Sequence, residues 1–322
     1  MDKPSTFEVR VARKVQEAQG ICSFELVAAN GATLPPFSAG AHIDVHLPNG
    51  LTRQYSLCNS PQETQRYLIG VLRDPQSRGG SLAMHEQVQE GDILTIGAPK
   101  NHFPLTAQAG HSLLLGGGIG VTPMLAMAET LAREGADFAL HYCTRSADRT
   151  AFTTRIAASA FAARVQFHFD DGAAQQKLAL QQTLAHPQAT THLYVCGPKG
   201  FMDAVLAQAR ASGWQEAQLH YEFFTGQVVI EETDASFEVE IASSGQRIEV
   251  PKGVSVTKAL AAAGVEIMTA CEQGVCGTCL TRVLAGTPDH RDSYLTPEEH
   301  AANDQFMPCC SRARSATLTL DL

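Results

Sequence analysis

The chain lacks any apolar run approaching the roughly 20 residues that a membrane-spanning helix needs. Its longest candidate, Leu113 to Val121, is interrupted by four glycines. The opening residues, Met-Asp-Lys-Pro-Ser-Thr, lack the basic and apolar regions of a secretory signal, so a cytoplasmic setting is expected. A basic excess is missing as well. The formal net charge is -9 over 322 residues, which argues against nucleic acid as a partner. There is no internal repeat and no low-complexity tract, and none of the cysteines stands two places before a histidine; neither a Rieske site nor a zinc site built on histidine is therefore expected. With 44% hydrophobic residues, the chain is long enough for two or three domains with cores of their own.

Cysteine, by contrast, is present nine times. Without an export signal, that number points to reduced thiols or metal ligands rather than a disulfide framework. Cys271, Cys276 and Cys279 stand in C-x4-C-x2-C order, and Cys309 follows after 29 intervening residues. This is the plant-type spacing for a [2Fe-2S] cluster, in which four thiolates are shared by two irons. A structural zinc site competes, but zinc usually takes two short C-x2-C knuckles and this chain has one. Gly274 and Gly277 lie inside the loop, where glycine lets the backbone fold tightly around inward-facing sulfurs. Cys310 competes with Cys309 for the fourth position. Cys22, Cys58 and Cys143 fall in apolar runs and read as core residues.

Three segments differ in pattern. Residues 7 to about 105 carry short alternating runs, Phe7 to Val15, His42 to Leu47, Arg53 to Cys58 and Tyr67 to Leu72, separated by turn residues; these predict an antiparallel barrel. From about 110 to 224, apolar runs (Ser112 to Leu115, Phe138 to Cys143, Val165 to Phe169, Leu193 to Cys196) alternate with helical stretches, the pattern of a parallel sheet covered by helices. The remainder predicts a hairpin-like pair (Phe237 to Ala242, Gln246 to Val250), a helix from about Ser255 to Ala263, the cysteine loop and a last strand, Thr317 to Leu320. The expected boundaries are 1–105, 106–225, a linker at 226–235, and 236–322. From Gly226 to Leu322 there are 14 acidic and 7 basic side chains, so most of the net negative charge belongs to the last segment.

The middle segment opens with Gly116-Gly117-Gly118-Ile119-Gly120-Val121-Thr122-Pro123. A strand runs into glycines that permit close approach, and Thr122 is expected to cap a helix with Pro123 at its first position. Amides exposed at a helix start favour a phosphate, although the glycines do not follow the G-x-G-x-x-G pattern. Val195-Cys196-Gly197-Pro198-Lys199 repeats the strand, glycine and helix order. Both loops are expected at carboxyl ends of strands, where open α/β sheets bind ligands.

With Arg53-Gln54-Tyr55-Ser56 these elements resemble the ferredoxin reductase superfamily. Their order along the chain, with Leu72-Arg73, Gly79-Gly80-Ser81, His220 to Phe224, Asp289-His290-Arg291-Asp292 and Ser311-Arg312-Ala313, resembles the phthalate dioxygenase reductase family. That resemblance implies an FMN-binding antiparallel β-barrel, an NADH-binding α/β domain and an α+β β-grasp ferredoxin domain. It places Arg53 and Ser56 near the flavin phosphate and ring edge, Tyr55 beside the ring, Gly80 and Ser81 at the phosphate, and Leu72, Thr122 and Phe224 around the flavin. Arg suits a phosphate because its donors match the oxygens two at a time. Gly116, Gly117, Gly118, Gly120 and the Cys196-Gly197-Pro198 turn would line the nicotinamide site, with Cys196 and Thr122 beside the reacting groups and positioning rather than attacking. Thr144, Arg145, Asp148 and Arg149 would meet the adenosine ribose. The two arginines could accept a 2′-phosphate, whereas the resemblance favours NADH.

A hydride brings two electrons at once and a [2Fe-2S] cluster takes one, so a carrier able to part with single electrons must stand between them. The expected function is therefore the monomeric reductase component of a Rieske-type oxygenase, passing electrons from NADH through FMN and the cluster. A reductase for another terminal oxidase and a passive ferredoxin-like carrier are the competing readings.

Overall fold

Alternation builds the first sheet. In β1 (Thr6–Ala18), Val9 and Val11 are buried while Glu8 and Arg10 face solvent, the two-residue period of a strand with one face on a core. The same face is supplied by β2 (Ile21–Ala28), β3 (His42–His46), β4 (Thr52–Ser56), β5 (Tyr67–Leu72) and β6 (Ile93–Gly97), with α1 (Gly80–Glu86) between the last two. The order β4-β3-β6-β1-β2-β5 is antiparallel throughout. A bridge between Leu57 and Ile69 joins the two outer strands, so the sheet closes on itself as the barrel expected. The computed structural model describes residues 6–74, 77–107, 109–224 and 234–322. These divide into two compact units, Met1–Phe224 and Thr225–Leu322.

The first unit continues with β7 (His111–Gly117), α2 (Val121–Arg133), β8 (Phe138–Thr144), α3 (Thr153–Ala157), β9 (Val165–Phe169), α4 (Leu180–Thr183), β10 (Thr191–Cys196), α5 (Lys199–Ala211) and β11 (Leu219–Glu222). All five strands are parallel in the order β11-β10-β7-β8-β9. The chain adds β8 and β9 on one side of β7, then returns to add β10 and β11 on the other. The sheet therefore has its topological switch point between β7 and β10, and Cys196 pairs with Gly116 at that point. Barrel and parallel sheet meet closely within this unit: a methyl on Gly70 of β5 would lie 2.9 Å from both Thr122 and Phe152.

The helix after β7 begins earlier than expected. A 3-10 turn, Gly118–Gly120, leads into α2, with Gly120 at the cap position. Thr122 does not cap it: its hydroxyl donates to the Ile119 carbonyl at 2.9 Å, and Pro123 is the third helical residue rather than the first.

The second unit pairs β12 (Phe237–Ile241) with β13 (Arg247–Val250), then adds α6 (Val256–Ala262), β14 (Thr281–Ala285), β15 (Pro288–Asp289), α7 (Pro297–Ala302), β16 (Gln305–Phe306), β17 (Arg312–Ala313) and β18 (Thr317–Leu320). Its main sheet runs β13-β12-β18-β14-β16, with β12 and β18 parallel. Ser255 caps α6 by accepting from Lys258 N–H at 3.4 Å. Thr296 and Glu299 form a reciprocal capping box on α7, with Pro297 at its first turn. Of the segment expected as a linker, 226–233 lies outside the described residues. Ala235 belongs with the second unit, since its carbonyl accepts from Arg312 at 3.0 Å.

Candidate redox cofactor sites

At the switch point the two glycine loops meet backbone to backbone. A methyl on Gly120 would lie 2.2 Å from the Cys196 carbonyl oxygen, and one on Gly197 would lie 3.0 Å from the Gly117 Cα and 2.8 Å from the Phe201 ring. Gly118 has φ +55 and open space in front of it, so a ligand can approach that amide without meeting a side chain. Pro198 stands at the cap position of α5. Cys196 is fully buried, and its thiol is pushed well above its ordinary pKa by burial and by Glu222. It cannot act as a thiolate, in keeping with a positioning role. Gly116 lies against the start of α2, 3.0 Å from the Val121 Cα by its absent methyl.

On β4, Arg53 crosses the start of α1 so closely that a methyl on Gly80 would meet its Cγ and Nε at 2.6 Å. Glycine at 80 is therefore what brings a guanidinium over the first turn of that helix. Gly79, with φ 93, makes the preceding turn, and Ser81 Oγ accepts from the Asp74 amide at 3.1 Å. Tyr55 packs against the barrel core, and Leu72 ends β5 with 38% of its surface exposed. Phe224 is partly buried against the cluster that contains Met124 and Tyr194. After the carboxyl end of β8, next to β7 in the sheet, Arg145, Asp148 and Arg149 are exposed. Thr144 is not available there: it is buried, and its hydroxyl is tied to Thr150 Oγ1 at 2.7 Å.

Two further residues complete this site and received no role from the sequence. Glu222, the last residue of β11, accepts a hydrogen bond from Ser56, and burial pushes its carboxyl up to about 8. His42 on β3 has Nδ1 4.0 Å from Glu222 Oε1, and burial lowers it to about 4. Although 15% of the Glu222 side chain remains exposed, its Oε2 is buried without a partner among the described residues, and so is His42 Nε2. Buried polar atoms seldom stay unsatisfied. A polar ring system beside Ser56 would offer the Glu222 oxygen a partner, so this corner fits a flavin.

In the second unit the four expected ligands, Cys271, Cys276, Cys279 and Cys309, are all buried and none of the nine cysteines is in a disulfide. Cys271 is within hydrogen-bonding reach of Cys276 and Cys309, and Cys279 of Cys309. Crowding makes the thiols resist ionisation: Cys276 is pushed up by its bond to Cys271 and then by burial, and Cys279 by its bond to Cys309 and then by burial. A cationic centre would relieve that resistance, so the donor set fits two irons. The sulfur hydrogen-bonded to Cys271 and Cys279 is that of Cys309, whereas the Cys310 sulfur packs beside Gly274, where a methyl would lie 2.3 Å from it. Gly274 and Gly277 have φ 71 and 73, and a methyl on Gly277 would lie 2.4 Å from the Tyr294 ring.

Comparison with known proteins accords with both halves of this geometry. Residues 239–314 match the family described as the 2Fe-2S iron-sulfur cluster binding domain, and residues 99–219 match the N-terminal domain of dimethylamine monooxygenase subunit DmmA-like proteins. The chain is 56% identical over 313 residues to vanillate O-demethylase oxidoreductase of Pseudomonas putida, covering 97% of this chain and 98% of that protein. It is 39% identical over 315 residues to phthalate dioxygenase reductase of Burkholderia cepacia, covering 98% and 97%. A solved phthalate dioxygenase reductase, titled a modular structure for electron transfer from pyridine nucleotides to [2Fe-2S], superposes with a TM-score of 0.76 at 38% identity, covering 99% of this chain and 98% of that one. The chain belongs to the phthalate dioxygenase reductase family. It is accordingly an oxidoreductase of the kind that serves as the reductase component of oxygenase systems.

Membership also explains the motif residues that touch no cofactor site. Arg291 and Arg312 converge on Asp234, whose side chain is 3% exposed, and Arg312 bonds the Val254, Pro251 and Ala235 carbonyls. Asp292 accepts from the Leu295 amide at 2.8 Å and from His300 at 3.2 Å, directly behind Gly274. Asp292 thus braces the cysteine loop at Gly274, while Arg291 and Arg312 tie together other segments of the second unit.

Proposed function

We propose that this protein is the NADH-dependent reductase component of a Rieske-type oxygenase of the vanillate O-demethylase kind, with FMN in the barrel, NADH at the switch point and a [2Fe-2S] cluster in the second unit. The observation that carries the reading is the pairing of four buried, mutually adjacent cysteine sulfurs in one unit with glycine loops in backbone contact at a sheet switch point in the other. When bound, FMN turns a two-electron hydride donor into a source of single electrons and the cluster accepts them one at a time.

The chain's own residues bind and orient. Arg53, with Gly80 and Ser81, holds the flavin phosphate by charge-assisted hydrogen bonds, and Tyr55, Ser56, Leu72, Thr122 and Phe224 surround the ring. Gly116, Gly117, Gly118, Gly120, Cys196, Gly197 and Pro198 admit the nicotinamide and pyrophosphate. Arg145, Asp148 and Arg149 face the adenosine end, leaving Thr144 to hold the turn. Ser56 and Glu222 hold a proton beside the flavin, Glu222 at a carboxyl oxygen that burial keeps protonated near neutrality. Among the described residues no helix is long and apolar enough to cross a membrane; a monomer in the cytoplasm is the setting we propose.

The test is purification of the holoprotein, identification of the released flavin, iron and sulfide assay, and steady-state reduction of ferricyanide with NADH or NADPH. The expected result is FMN, two irons, and preference for NADH, with demethylation of vanillate once the matching oxygenase is added. FAD in place of FMN, or NADH oxidation that drives no oxygenase, would overturn the corresponding part.

A further inference from the structure

NADH oxidised to NAD+ releases two electrons and one proton. The electrons leave as single electrons for two one-electron acceptors, so the proton must leave the flavin site by another route. Ser56 and Glu222 are placed to take it, but both are largely enclosed: Ser56 is buried, and Glu222 Oε2 is buried without a partner among the described residues, with 15% of its side chain exposed. From the geometry we infer that His42 and His102 form the proton exit of this site, relaying from Glu222 to the barrel surface. The inference rests on the flavin reading above.

His42 Nδ1 faces Glu222 Oε1 across 4.0 Å, a gap that one water or a shift of about 1 Å closes. The two residues are 180 positions apart, on β3 of the barrel and β11 of the parallel sheet, and are brought together where those layers meet. Only 6% of the His42 side chain is exposed, and its other nitrogen, Nε2, is buried without a partner among the described residues. Beyond it, the His102 ring lies 5.5 Å from the His42 ring at an interplanar angle of 35°, and His102 is exposed. A file of titratable groups thus leads from the buried carboxyl towards water, with a short gap on either side of His42 for a water or a small shift to close.

The surroundings favour passage over storage. Facing His42 are Asp44 from its own strand, Lys100 and His102 from the connection to β7, and Glu222 from β11. Asp44 is held by Lys100 Nζ at 2.7 Å and by Gln54 at 2.8 Å, so it stays ionised and does not compete for the proton. Burial disfavours a lasting charge on His42. A proton arriving from Glu222 leaves a carboxylate 4.0 Å away, and that pair of opposite charges offsets the cost while the proton moves on. Elsewhere on the sheet, His220 and His192 are bonded to each other at 2.9 Å, and His220 also to Thr106; they form a separate pair.

The test uses the anaerobic holoprotein, mixed with NADH and excess ferricyanide in weak buffer containing a pH-indicator dye, so that proton release is timed apart from flavin bleaching. In His42→Gln, release at neutral pH is expected to lag about tenfold behind the wild type and to be restored by added imidazole, a small diffusible base. His102→Gln, at the surface, should show a smaller lag with the same rescue, and it remains informative should His42→Gln fold poorly. An infrared difference spectrum of reduced against oxidised holoprotein should show a protonated-carboxyl band that disappears in Glu222→Gln and persists, shifted, in His42→Gln. Release as fast as wild type in both histidine variants, or a lag that imidazole does not relieve, would overturn the exit route. So would a lag in His192→Gln without one in His42→Gln. A normal release rate in Glu222→Gln would instead overturn the role given to Ser56 and Glu222, and the two failures are therefore separable.

Discussion

Replacing Gly120 by alanine is expected to slow reduction of the flavin by NADH about a hundredfold while leaving the cluster intact. The added methyl would sit 2.2 Å from the Cys196 carbonyl oxygen, 2.4 Å from its carbon and 2.7 Å from Gly197 N, where ordinary contact begins at 3.4 Å. All three are backbone atoms at the end of a central strand, so no side chain can swing aside and the two loops must part by about 1 Å. A displacement of that size between a bound reactant and its partner typically costs on the order of 100-fold in rate, and overpacking adds about 1–3 kcal/mol of lost stability. Gly118→Ala separates the two effects. Its methyl meets nothing within 4 Å, but its φ is +55, so it should cost about 1–2 kcal/mol in backbone strain with less than about tenfold loss in rate. The assay is stopped-flow bleaching of the flavin over a range of NADH concentrations, with visible spectra and thermal unfolding as checks. Reduction by Gly120→Ala within about twofold of wild type, or equal losses in the two variants, would refute the claim that loop-to-loop spacing sets hydride geometry.

Three other substitutions bear on separate parts of the molecule. Cys276→Ser should lose the cluster yet keep flavin that NADH reduces, because the ligands lie in a unit distinct from the one carrying the switch point; iron analysis and the visible spectrum check this, and unchanged iron would remove Cys276 from the ligand set. Arg53→Ala should weaken flavin retention by roughly 1.5–3 kcal/mol for each lost charge-assisted bond, read by ultrafiltration and fluorescence of the released flavin. Glu222→Gln should change how stability depends on pH. The folded chain holds the Glu222 proton up to about 8 against an ordinary value of 4.5, so between those limits the folded state binds more protons than the unfolded one. Stability therefore falls as pH rises through that window, by on the order of a few kcal/mol, and the variant should lose that part of the fall. Thermal unfolding of both proteins at several pH values decides it, and parallel curves would speak against a buried, uncharged carboxyl.

Periodicity made most of the fold readable before any coordinates. The alternating runs around Val9, Val45 and Ile69 became barrel strands, and the apolar runs at 112–115, 138–143, 165–169 and 193–196 became four of the five parallel strands. What escaped notice has a common cause. β2 is buried or nearly so along its whole length, β11 has only four residues, and β6 carries isoleucine on its exposed face as well as its buried one although its burial alternates; none has a long enough run of alternating apolar and polar residues to announce itself. The capping role expected of Thr122 failed because a 3-10 turn of glycines starts the helix two residues early, leaving the threonine hydroxyl to donate to a carbonyl.

The two cofactor sites differ in legibility for a reason rooted in chain topology. The expected iron ligands crowd into one loop plus a single return, so their spacing survives in the sequence, and the preference for Cys309 over Cys310 came from that spacing. The proposed flavin site draws on β3, β4, α1, α2, β10 and β11, and nothing local marks Glu222 or His42 as neighbours. Residues recognised as family motifs also proved to be of two kinds. Arg53 and the glycine loops make the close backbone approaches on which the proposed cofactor sites rest, whereas Arg291, Asp292 and Arg312 are tied up in bonds within the second unit. In the cysteine loop Glu272, not a glycine, takes a φ of 55, and strain of that kind persists only where the surroundings over-determine it. Buried charges satisfied from several sides, such as Asp234 between two arginines, supply that rigidity in a unit whose apolar core is small, because removing any one partner strands the others without compensation.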